Sequence, residues 1–96
     1  MERITSRKNP YVARLRALGS DAAFRRESGE TVLDGVKLLG EAMAAKAEIT
    51  GVLCAGGFAL PDGLACPVYQ APAELVGYAS PVKNSPGPVF SLSLPE

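Results

Sequence analysis

The 96-residue sequence contains no histidine, two cysteines and no apolar run near the roughly 20 residues needed to span a bilayer. Without histidine it lacks the side chain that most often serves as general base and metal ligand near neutral pH. Cys54 and Cys66, separated by eleven residues, are too few for structural zinc, which takes four ligands. A disulfide between them would seldom persist in a cytosolic chain, so two partly buried thiols are expected. The basic, polar N-terminus has no apolar signal core, and the expected location is cytoplasmic, with no membrane partner. Neither GxGxxG nor GxxxxGK followed by Ser or Thr occurs, so Gly56-Gly57 and Pro61-Asp62-Gly63 read as turns or one short helical turn. Carboxylates are plentiful, but no spacing singles out an acid/base pair. No catalytic residue, metal ligand or cofactor site is therefore assigned within this chain.

The chain does carry a concealed charge split. Residues 1–26 hold seven basic side chains against Glu2 and Asp21, a net of +5, whereas residues 27–96 carry a net of −5. All seven except Lys8 are arginines, the side chain suited to bidentate phosphate contacts. Such a split fits a polyanion-binding arm, and equally a solvated helical face. With 47% apolar residues, the chain is expected to fold as one globular domain.

The central stretch runs Thr31-Val32-Leu33-Asp34-Gly35-Val36-Lys37. Thr31 to Leu33 reads as a buried strand, Asp34 as a helix cap and Gly35 as a tight turn. Val36, Leu39, Ala42 and Met43 then share one helical face, with Lys37 and Glu41 opposite, spaced to form a weak i,i+4 pair. Upstream, Asn9 and Pro10 open a helix with Tyr11, Leu15 and Leu18 on its apolar stripe and Arg14 and Arg16 beside it. At that spacing Tyr11 reads as core rather than as a platform for a base. Ser20 or Asp21 caps a second helix, Ala22 to Glu27, which places Arg25 and Arg26 where a helix dipole favours cations.

Downstream, strands are expected at Ile49–Cys54 and Val68–Gln70, and a helix from Pro72 to about Tyr78. Ser80 to Pro88 reads as a loop offering Lys83, Asn84 and Ser85 as polar contacts. Val89 to Leu94 alternates Phe90, Leu92 and Leu94 against Ser91 and Ser93, the pattern of a half-exposed strand near an edge or under another domain. The order of elements implies an α/β/α sandwich on a mainly parallel sheet.

Ile4-Thr5-Ser6-Arg7-Lys8-Asn9-Pro10, then Arg25-Arg26, then Leu33-Asp34-Gly35-Val36-Lys37-Leu38-Leu39 carry a resemblance. They are similar to the N-terminal substrate-binding domain of the SpoU (TrmH-like) RNA ribose 2′-O-methyltransferases. The resemblance implies a three-layer sandwich of the ribosomal-protein and kink-turn-binding type. Residues 1–30 would form a basic helical arm packed on the domain, and residues 31–96 the RNA-binding unit. It implies a grip on structured ribosomal or transfer RNA, with Arg7, Lys8, Asn9, Arg25, Arg26 and Lys37 as contact residues. Asn9 has an alternative role as a helix cap alone. Catalysis, S-adenosylmethionine and the homodimer contact belong in that family to a C-terminal knot domain. Nothing in this sequence matches that domain, so the chain by itself is compatible with a monomer. The chain departs from the family pattern at Pro86-Gly87-Pro88, where Pro-Gln-Gly is usual, and at Asp34, where Glu is usual. A stand-alone RNA- or protein-binding module of the same fold is the alternative reading.

Overall fold

A computed structural model describes residues 1–83 and 85–95. Five strands form one mixed sheet: β1 (Glu2–Arg3), β2 (Glu30–Asp34), β3 (Glu48–Ala55), β4 (Val68–Ala71) and β5 (Val89–Ser93). Four helices accompany them: α1 (Pro10–Ser20), α2 (Ala22–Ser28), α3 (Val36–Ala44) and α4 (Ala73–Ala79). The strand order is β1-β4-β3-β5-β2. The expected α/β class holds, and the predicted helices and strands are found with ends shifted by one or two residues, except that α3 stops at Ala44 where helix was expected through Glu48. The chain turns at Lys46, with φ +58°, and Glu48 already opens β3. The two-residue β1 is an addition.

Period-two alternation divides the core between the two faces of the sheet. Val32, Leu53, Ala71 and Val89 join Val12, Leu15 and Leu18 of α1 and Leu75, Val76 and Ala79 of α4. Their sequence neighbours Leu33, Val52 and Phe90 pack instead with Leu39, Ala42 and Met43 of α3. Val36 does not follow its expected face; it is 51% exposed at the first position of α3, ahead of the part that reaches the sheet.

Three further expectations are corrected. The sheet is not mainly parallel: β1 and β3 run parallel to β4, but β5 is antiparallel to both β2 and β3. Seven-residue α4 rises only about 10 Å, and the loop after it is tied to the carboxyl end of β2, so the chain enters β5 from the edge where β4 ended. Nor is β5 half exposed or peripheral. It lies between β3 and β2, and Val89 to Leu92 are all buried, Ser91 among them. The hydroxyl groups of Tyr11 and Thr50 satisfy Ser91 at 2.9 and 2.7 Å. Thr50 reaches it because β3 gains one residue against β5 between Ile49 and Gly51, a bulge. Lastly, Asp34 makes no cap; Gly35 takes the N-cap position of α3, and the Asp34 carboxylate turns to the loop after α4.

Candidate nucleic-acid interface

Strands β1, β2, β3 and β4 all end at one edge of the sheet, where open α/β folds place their ligand sites. The Gly35 turn stands at this edge with φ +122°, a conformation that a side chain would resist. It is joined to the loop of residues 80–88 at three points. The Gly35 amide donates to the Pro88 carbonyl at 2.9 Å, and the hydroxyls of Ser80 and Ser85 both donate to the Asp34 carboxylate. The Pro86-Gly87-Pro88 segment thus forms the near wall of the turn, with a cis peptide between Gly87 and Pro88. These bonds bring Lys37, in the first turn of α3, and Lys83, in the loop, to the same end of the molecule, both exposed. Val36 and Val82 stand beside them, 51% and 50% exposed. Asn84 lies outside the described residues.

The other expected contact residues separate into distinct roles. Asn9 caps α1, its side-chain oxygen accepting from the Tyr11 amide at 2.8 Å and the Val12 amide at 3.4 Å. Lys8 is exposed beside it. Arg25 donates to the Leu18 carbonyl at 2.7 Å and so closes the end of α1, while Arg26 on the same helix is exposed. Both precede the amino end of β2, whereas Lys37 follows its carboxyl end; a five-residue strand spans about 13 Å. The structure therefore does not gather Arg25, Arg26 and Lys37 at one turn. Among the described residues, Lys37 forms no ion pair with Glu41; the pair within 4 Å is Arg14 with Glu30.

Arg7 is oriented by an aromatic ring. Its guanidinium lies 4.3 Å from the centre of the Tyr78 ring, and that of Arg16 lies 4.5 Å from the same centre. Arg16 also donates to the Tyr78 carbonyl at 3.2 Å. Arg16 and Tyr78 lie 62 positions apart, and no local spacing in the sequence marks them as partners. The available signal was the position of Arg16 beside the apolar stripe of α1. Tyr11, by contrast, is the core residue expected, its ring stacked on Tyr69 with centroids 4.7 Å apart. Burial pushes its phenol well above the ordinary range, and the Ser91 hydrogen bond only partly offsets this. Cys54 and Cys66 are free thiols, both raised by burial.

Known structures contain this arrangement of elements. An RNA 2′-O ribose methyltransferase superposes on 98% of the chain with a TM-score of 0.82 at 22% identity. An rRNA methyltransferase from Sinorhizobium meliloti does so over 98% with a TM-score of 0.76 at 20% identity. The SpoU methyltransferase AviRb from Streptomyces viridochromogenes, solved with AdoMet, covers 93% with a TM-score of 0.76 at 16% identity. The chain shares its fold with RNA methyltransferases. This likeness agrees with the resemblance carried by the motifs around Asn9 and Gly35. The chain spans only 37–38% of the length of those structures. No family model and no curated protein matches it in sequence. Among the described residues, no helix is long and apolar enough to cross a membrane, and no three His, Cys, Asp or Glu side chains gather as a cation site.

Proposed function

We propose that this chain is the RNA-recognition domain of a SpoU-type, S-adenosylmethionine-dependent RNA ribose 2′-O-methyltransferase. On this reading it holds folded ribosomal or transfer RNA so that one ribose reaches a cofactor bound in a separate knot domain. The finer fold assignment belongs to the same proposal: a ribosomal-protein-like sandwich over residues 31–96, extended by the basic helical arm of residues 1–30. So do a cytoplasmic location and a parent protein that dimerises through the catalytic domain. The observation that carries the reading is the fold, shared with RNA methyltransferases over almost the whole chain. The Gly35 turn with Lys37, tied to the Lys83 loop, supplies cations and small apolar side chains, ingredients of an RNA contact.

Salt titration of binding to a structured ribosomal RNA fragment tests it. Log K should fall linearly with log salt, by roughly 0.7–0.9 for each phosphate neutralised. A flat plot, or affinity unchanged in a Lys37→Glu/Lys83→Glu variant, would reject the proposal. Binding to a protein partner with no RNA affinity would favour the interaction-module alternative.

A further inference from the structure

We infer that Arg7 and Arg16, held around the ring of Tyr78, form a two-cation seat for successive phosphates of an RNA backbone. This seat rests on the RNA-recognition reading and adds a second contact region, on the layer of α1 and α4.

The geometry exceeds what packing requires. A hydrogen bond from Arg16 to the Tyr78 carbonyl already caps the C-terminus of α4 and satisfies its dipole. One guanidinium would complete that task. A second is nevertheless placed on the same ring, so the two charged centres are no more than about 9 Å apart, given separations of 4.3 and 4.5 Å from its centre. Like charges held this close repel. Among the described residues neither arginine has a carboxylate within 4 Å. Glu74, one turn back on α4, lines the same groove as Arg7 but does not pair with it. Arg14 also lies near a ring, Phe24, yet is neutralised by Glu30.

A guanidinium held over a ring by its face keeps its N–H edge for bidentate phosphate contact. This holds for Arg7, whereas Arg16 spends one Nη1–H on the Tyr78 carbonyl and offers its other N–H groups. Tyr78 also restrains two long side chains that would otherwise lose rotamer freedom on binding, so part of the ordering cost is met before RNA arrives. Tyr78 is thus a positioning residue, and the two arginines are the contacts. An extended polyanion fits two adjacent cations better than a single small anion does.

The test compares salt slopes for a structured ribosomal RNA fragment. Arg7→Gln should lower the slope by roughly 0.8, and Arg7→Gln/Arg16→Gln by roughly 1.5, while Lys37→Gln lowers it independently by its own increment. Tyr78→Leu should weaken binding several-fold with the slope unchanged, because the charges remain and only their positioning is lost. If Lys37→Gln changes the slope and both arginine variants leave it intact, the seat is rejected and the RNA reading survives. If the unaltered chain shows no salt-dependent RNA binding, both fail. Should the double variant not fold, exposed Arg7 alone decides the matter. Equal displacement of RNA by poly-glutamate of matched charge would assign the seat to an acidic protein and overturn the proposal.

Discussion

The hydroxyl end of the Tyr11 ring lies so close to Gly51 that a Cβ there would meet the phenol oxygen at 2.6 Å and the adjoining ring carbon at 2.7 Å. Helix α1 can approach the bulge in β3 only because residue 51 has no side chain. Gly51→Ala should therefore destabilise the chain by about 1–3 kcal/mol through overpacking. Urea denaturation measures it, and Tyr11→Ala in the same chain should recover part of the Gly51→Ala loss. Additive losses would show that the ring is not what excludes the methyl group.

Asp34 ties the Gly35 turn to the loop after α4 through Ser80 and Ser85. Replacing it with alanine should cost about 1–3 kcal/mol, since two hydroxyl groups lose a charged acceptor. The loss should be local in hydrogen exchange: amides of residues 80–88 gain exchange while those of β3 stay protected. A uniform increase across the sheet would instead give Asp34 a global role.

Tyr11 sets a high-pH limit. Burial holds its phenol above the ordinary 10.0, so the folded chain keeps a proton that the unfolded chain releases. Its stabilisation is complete below pH 10 and is lost as pH climbs toward the higher folded value, by up to about 1.4 kcal/mol per pH unit. Cys54 and Cys66, both raised by burial from 9.0, add a decline of the same sign that begins about one unit earlier. Urea midpoints between pH 7 and 11 should fall accordingly, and Tyr11→Phe should flatten the part above pH 10. An unchanged slope in that variant would mean the phenol ionises in place.

Arg25 and Arg26 should behave differently despite being neighbours. Arg25→Ala removes the hydrogen bond to the Leu18 carbonyl and should lower stability by about 1 kcal/mol. Arg26→Ala should leave stability within about 0.5 kcal/mol, as an exposed substitution. Thermal unfolding distinguishes them. Any RNA-binding loss on Arg26→Ala then reports contact rather than folding.

Much of the architecture was legible because short-range physics wrote it. The caps at Asn9 and Asp21, the Gly35 turn and the apolar spacing of Leu15, Leu18 and Leu39 depend on residues within a few positions of one another. The last strand was misread for the opposite reason. Ser91 and Ser93 looked like a solvent face, but Ser91 is fully buried because Tyr11 and Thr50, 80 and 41 positions away, meet its hydroxyl. A buried polar residue and an exposed one have the same letter in a sequence. The candidate site divided in the same way. Lys37 was visible behind its glycine, whereas Arg16 and Tyr78 meet only after two helices pack together.

By itself, the sequence determined that this is an α/β chain with a basic amino-terminal quarter, a glycine turn presenting Lys37 and motifs similar to those of SpoU methyltransferases. Those features are local, set by propensity, spacing and charge. Tertiary structure alone decided which of the basic residues remain available. It committed Arg14 to Glu30 and Arg25 to the end of α1, placed Arg7 and Arg16 on one tyrosine, and left Lys37 and Lys83 exposed at the sheet edge. The reason is physical. A charge becomes structural or functional according to the partner within reach, and that partner is brought near by the whole fold.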